Sequence, residues 1–152
     1  MAEEVVNPGG PLVERVLGFV AVMKDLVAAG AASGDEWAPL REFVAVDEFE
    51  RIGPFLEVQD WRQYVEMLSQ WSLGTTGFET TLLRVSELRG LVYVEVEERH
   101  QRNESIEIVN SMTVFEFDET EKIRRLAVYL QRRPRRGEGH RGDPSESRLT
   151  VP

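Results

Sequence analysis

At 152 residues, with 41% hydrophobic and 30% charged side chains, the chain has the length and composition of one globular domain with a core of its own. A net charge of −9 sets it against phosphate backbones, so no nucleic-acid partner is expected, and no apolar run approaches the length of a membrane span. The absence of cysteine excludes disulfides, thiolate metal sites and a cysteine nucleophile, and with no basic-then-apolar leader in MAEEVVNPGG the expected location is the cytoplasm.

In chain order, residues 1–10 read as a flexible arm, because Pro8-Gly9-Gly10-Pro11 opposes an early helix. A helix is expected from Pro11, with Leu12, Val16, Phe19, Val20, Met23, Leu26 and Val27 at helical spacing. Gly30 to Gly34 ends it. Ser33 and Glu36 stand three apart as a capping box for a second helix, with Trp37, Leu40, Phe43 and Val44 as its apolar stripe. VDEFERIGPF reads as a short extended segment stopped by Gly53-Pro54. Asp60 reads as the N-cap of a third helix, whose face carries Trp61, Tyr64, Val65, Leu68 and Trp71.

From Gly77 to Gln131 the period changes to two. Four runs rich in Val, Ile, Thr, Tyr and Phe are separated by Leu88-Arg89-Gly90, Arg102-Asn103-Glu104 and Asp118 to Glu121. Such short connections require antiparallel neighbours. The strands are about ten residues long, above the globular mean, and long twisted strands curl. The implied architecture is α+β: three N-terminal helices over the concave face of a curved, mainly antiparallel sheet, spanning 11–131. The segment 132–152, beginning RRPRR, is rich in Arg, Gly, Pro, Ser and Glu and too polar to bury a core. It is either a solvated tail or an anchor for an anionic partner.

The order of elements resembles the nuclear-transport-factor-2-like superfamily, in particular SnoaL-like polyketide cyclases, ketosteroid isomerases and limonene-epoxide-hydrolase-like proteins. The resemblance is carried by Asp60-Trp61-Arg62-Gln63-Tyr64, Glu98-Arg99-His100-Gln101-Arg102, Val114-Phe115-Glu116-Phe117-Asp118 followed by Lys122-Ile123, and Val128-Tyr129-Leu130-Gln131. It implies a cone-shaped, cystatin-like fold around an apolar pocket. It also implies which sides of the strands face inward: Tyr93, Glu95, Glu97, Arg99 and Gln101; Val109, Ser111, Thr113, Phe115 and Phe117; and Leu126, Val128 and Leu130. The opposite face, with Val92, Val94, Val96, Asn110, Met112 and Val114, would then pair two subunits as a homodimer.

Neither familiar acid set of that superfamily is matched. Epoxide hydrolysis needs an arginine and two acids; Arg99 matches, but Gln101 and Val128 stand where the acids should be. Ketosteroid isomerisation needs a carboxylate base and a tyrosine–acid oxyanion hole. Here the strand acid falls at Thr113, Phe19 and Met23 occupy the helix that should bear the tyrosine, and only Glu50 lies near the base position. The remaining polar candidates are Asp47, Glu50, Glu97, Arg99, His100 and Thr113. Glu97 and Arg99, two apart on one strand, form a pair able to orient an anionic or hydroxylated ligand, or an inert pair at a wet rim. His100 has the opposite parity and is expected to point away from the pocket. Trp61, Tyr64, Trp71, Phe78 and Tyr93 serve either as core filler or as walls for a flat polycyclic ligand.

The expected catalytic set is therefore Glu50 as base with Glu97, and Arg99 as charge stabiliser. The expected ligand-binding set is Tyr64, Trp71, Tyr93, Gln101, Ser111, Thr113, Phe115 and Val128. No metal site and no cofactor are expected, since His100 and His140 are the only histidines. Two functions remain open: a protein that binds a hydrophobic or polycyclic metabolite and acts on it by proton transfer as a cyclase or isomerase does, or a non-catalytic homodimeric binding or assembly module.

Overall fold

The computed structural model describes residues 10–133; the arm over 1–9 and the chain from 134 onward, including most of the expected tail, lie outside the described residues. Helix α1 spans Pro11–Ala28 and buries Leu12, Val13, Val16, Phe19 and Val27 on one stripe. Gly10 at its N-cap has no side chain to receive the first free N–H groups. Glu87 does so from the sheet, its Oε1 accepting from the amides of Leu12 and Val13 at 3.2 and 3.1 Å. The carboxylate also sits favourably at the positive end of the helix.

The second expected helix is a 3₁₀ segment, Gly34–Phe43, rather than an α-helix. Pro39 inside it supplies no amide donor and disfavours an α-helical interior. Ser33 caps no backbone N–H; its hydroxyl instead donates to Glu36 Oε1 at 3.0 Å, so the expected capping box is not formed. The segment is held by what it buries. Trp37 and Leu40 are fully enclosed, and the Trp37 indole N–H donates to Ser69 Oγ at 2.9 Å.

The extended segment is strand β1, Glu50–Ile52, followed by a two-residue strand β2, Val58–Gln59, that the sequence reading did not separate. Helix α2, Trp61–Leu73, begins as expected: Asp60 Oδ1 accepts from the Gln63 amide at 2.8 Å, and Gln63 Oε1 accepts from the Asp60 amide at 2.9 Å. The remaining strands are β3, Gly77–Leu88; β4, Leu91–Arg102; β5, Ser105–Phe117; and β6, Ile123–Arg132. The β3–β4 hairpin turns through Arg89 and Gly90, at φ 52° and 79°. Positive φ at both turn residues matches the right-handed twist of the flanking strands. In the β5–β6 turn, Asp118 Oδ1 accepts from the amides of Thr120 and Lys122 and from the Thr120 hydroxyl.

The six strands form one curved, open sheet in the order β2-β1-β6-β5-β4-β3. Among the described strand pairs, only β1 and β6 run parallel. The helices and the 3₁₀ segment cover the concave face, giving the expected α+β cone. Val13, Val16, Trp37, Leu40, Val85, Val92, Phe115, Ile123 and Leu126 fill its packed core.

Candidate functional site

The register decides which side chains enter the cone. Directly opposed residues of neighbouring strands share a face. Phe115, Thr113, Ser111 and Val109 of β5 stand opposite Val92, Val94, Val96 and Glu98 of β4. On the other side of β5 they meet Leu126, Val128, Leu130 and Arg132 of β6. The inward residues expected on β5 and β6 are therefore inward. On β4 the expected face is corrected: Val92, Val94, Val96, Glu98 and His100 look into the cone. Tyr93, Glu95, Glu97, Arg99 and Gln101 look out, opposite Val114, Met112, Asn110, Ile108 and Ile106. One residue of offset exchanges the whole set, because side chains alternate strictly along a strand.

A cavity of about 390 Å³ opens between the sheet and the helices. Its apolar wall includes Phe19, Val20 and Met23 from α1, Met67, Leu68 and Trp71 from α2, Phe78 from β3, and Val94, Val96, Phe115 and Val128 from the central strands. Its polar groups are few: Arg51, Glu57, Tyr64, Thr80, Glu98, His100, Ser111, Thr113 and Arg132. Of the expected ligand-binding residues, Tyr64, Trp71, Ser111, Thr113, Phe115 and Val128 come together in this lining, while Tyr93 and Gln101 are on the outer face. Of the expected catalytic residues, none lines it. Glu97 and Arg99 pair with each other at 2.8 Å on the outer face, where Arg99 also donates to Thr81 Oγ1. Glu50 is exposed and lies 3.9 Å from Arg125, its neighbour across the β1–β6 ladder; Asp47 is exposed as well.

The acid and base inside the cone are Glu98 and His100. His100 Nε2 lies 3.0 Å from Glu98 Oε1, and the two side chains retain only 11% and 19% exposure respectively. The Trp71 indole N–H points at His100 Nδ1 at 3.3 Å. An indole N–H can only donate, so Nδ1 is the acceptor in the neutral ring and Nε2 carries the proton, donating it to Glu98. Phe78 and Trp71 pack against the imidazole at centroid distances of 5.1 and 5.5 Å and fix its plane. The carboxylate thus has Oε1 engaged, and among the described residues its other oxygen has no partner. The pair is visible in the sequence as Glu98-Arg99-His100; the parity of β4 was the missing information.

A second polar group forms around β1. Arg51, paired with Leu126 in the ladder, points inward, and its guanidinium lies 5.7 Å from the centre of the Tyr64 ring. Burial pushes the Tyr64 phenol up to about 12; the Arg51 charge opposes this and the Glu98 charge adds to it. Tyr64 therefore stays protonated, a hydrogen-bond donor at every physiological pH. Among the described residues its hydroxyl has no hydrogen-bond partner, although the residue is 5% exposed. At the mouth, the β1–β2 loop carries Pro54, Phe55 and Glu57 in the cavity lining, with Phe55 largely in solvent. Among the described residues no group of three or more His, Asp or Glu is arranged to hold a metal ion.

No family model and no curated protein matches the chain in sequence. Solved structures do match in shape. A SnoaL-like polyketide cyclase from Shewanella denitrificans OS-217 superposes with a TM-score of 0.65 at 11% identity, covering 80% of this chain and 92% of that one. An NTF-2 like protein of unknown function from Pseudomonas aeruginosa gives 0.57 at 16% identity, covering 78% and 96%. A limonene-epoxide-hydrolase-like epoxide hydrolase from M. tuberculosis gives 0.58 at 13% identity, covering 78% and 84%. The chain has the NTF2-like fold, as its resemblance to that superfamily implied.

Proposed function

We propose that this protein binds a hydrophobic, ring-containing small molecule in the cone and moves a proton on it, as a cyclase or isomerase does. The observation that carries this reading is the Glu98–His100 pair in the wall of an otherwise apolar cavity. Glu98 takes the role first expected of Glu50. Its other oxygen accepts a proton from carbon or oxygen of the ligand, and His100 Nε2–H holds the carboxylate in place. The apolar walls keep water away, so the charge that develops is met by fixed groups rather than by solvent. The match in shape to a SnoaL-like polyketide cyclase and an epoxide hydrolase supports a small-molecule role but not a reaction, since one shell serves many functions.

Exchange of the α-protons of 2-tetralone in D₂O, followed by proton NMR, tests the chemistry. A positioned general base contributes about 10²–10⁴-fold. Wild type should exceed Glu98→Gln by about a hundredfold or more, with Glu97→Gln unchanged from wild type. Equal exchange in wild type and Glu98→Gln leaves binding alone. Binding itself is read by fluorescence of the neutral probe N-phenyl-1-naphthylamine, which Ser111→Trp should exclude by filling the cavity.

A second reading, a homodimeric module without catalysis, draws on the outer face of the sheet. Among the described residues no helix covers it, and Ile106, Ile108 and Tyr129 are exposed there among the ion pairs Arg84–Glu95 and Glu97–Arg99. Pairing of two subunits through this face is tested by light scattering on wild type and Tyr129→Arg; a monomeric wild type removes it.

A further inference from the structure

The buried arginine at the β1 end of the cavity is not used by the proton-transfer reading. Arg51 is 9% exposed, and its guanidinium is held among Gln59, Glu57 and the face of Tyr64. A guanidinium offers five N–H donors in a planar fork. Here Nη1 donates to Gln59 Oε1 at 3.0 Å. The same Nη1 faces Glu57 Oε1 at 3.7 Å, too long for a hydrogen bond. Among the described residues Nε and Nη2 have no acceptor.

Glu57 is a poor counter-ion for a further reason. Its other oxygen accepts from the Phe55 amide at 2.8 Å, which ties it to its own loop, and its side chain is 40% exposed. The loop is closed by the Gly53 amide donating to the Glu57 carbonyl at 2.9 Å. A buried charge whose counter-ion stands at 3.7 Å is only loosely compensated, and its open donors are a docking point for an anion. Beside it Tyr64, a cavity-lining residue whose hydroxyl has no hydrogen-bond partner among the described residues, supplies another donor.

We propose that the ligand of the cone bears a carboxylate, which docks on the open edge of Arg51 with the Tyr64 hydroxyl as a third donor, while its apolar body fills the space toward Glu98. This rests on the reading that the cone binds a small molecule, and it narrows that molecule to a hydrophobic monoanion. Charge limits the head to a single negative unit: Arg51 faces it, Arg132 at the other end of β6 lies 3.9 Å from Glu107, and the carboxylates of Glu57 and Glu98 share the cavity. The placement also orients the ligand. Its acidic end lies at the β1–β2 mouth, under Phe55, and its other end reaches the proton-transfer pair.

Isothermal titration of 2-naphthylacetate against 2-naphthylacetamide tests this with the intact protein. The two differ only in the charged head. Wild type should bind the acid at least about tenfold more tightly, equivalent to about 1.4 kcal/mol. Arg51→Met should abolish that preference while N-phenyl-1-naphthylamine still binds. Tyr64→Phe, which keeps the ring under the guanidinium, should reduce the preference in part. Equal binding of acid and amide by wild type, with N-phenyl-1-naphthylamine bound, overturns the carboxylate and leaves the cavity reading standing. Failure of all three probes to bind overturns both. The comparison of probes on wild type does not depend on either variant folding.

Discussion

Strand β4 carries a carboxylate and a nitrogen base, two residues apart, on each of its faces. Outside, Glu97 and Arg99 meet at 2.8 Å with side chains 38% and 35% exposed. Inside, Glu98 and His100 meet at 3.0 Å with 19% and 11%. The contacts are almost equal in length, yet they differ in what surrounds them. Water and salt screen the outer pair, and such pairs contribute little. The inner pair is walled by Val94, Val96, Phe78 and Trp71, where a charge is felt strongly and a proton position is fixed. Residue type does not decide which pair lines the cavity; the side of the pleat does.

The contrast is broken most severely through the packing that creates it. Phe115→Ala, on the inner face where Phe115 meets the Phe19 ring edge-on at 6.1 Å, should lower unfolding free energy by about 3–5 kcal/mol in urea titration. Glu97→Ala on the outer face should stay within about 0.5 kcal/mol. Similar losses in the two would mean the faces are not distinct environments.

Alkaline pH sharpens the same contrast. The Tyr64 phenol is raised from 10.0 to about 12, so the unfolded chain loses this proton first. Its contribution to stability is fully present below pH 10 and is lost as pH rises toward 12, a fall of roughly 2–3 kcal/mol. Tyr64→Phe should remove that fall, and ultraviolet titration should show one tyrosine ionising late. A titration in which all tyrosines ionise together near pH 10 contradicts the burial of this ring.

Trp71→Phe deletes the indole donor to His100 Nδ1 while keeping an aromatic ring. It should cost about 1 kcal/mol, and nitrogen NMR of the imidazole should show the loss of a single tautomer. A wild-type spectrum with Nδ1 protonated would invert the donor assignment. The smallest effect belongs to the outer pair: a double-mutant cycle on Glu97→Ala and Arg99→Ala should give a coupling of no more than about 0.5 kcal/mol.

Much of the scaffold was legible. Local rules govern Pro11 at the start of α1, Asp60 and Gln63 at the start of α2, and the Arg89-Gly90 turn, so their chemistry shows in the residues themselves. In the 3₁₀ segment Ser33 and Glu36 have the spacing of a capping box, yet Pro39 and the burial of Trp37 decide the local geometry. On β4 both faces offer plausible lining: Val92, Val94 and Val96 on one side, Tyr93, Glu95 and Glu97 on the other. Only pairing with β5 separates them. Parity hides Arg51 beside Glu50 in the same way: the ladder with β6 turns Arg51 inward and Glu50 out.

By itself the sequence determined the four long strands and the turns between them, the capped start of α2 and the absence of thiol chemistry, because period, turn residues and composition are local properties. The tertiary structure alone decided which carboxylate is buried. That choice depends on register between strands distant in the chain, and on which face the helices cover; a shift of one residue would have put Glu97 inside and left Glu98 to the water.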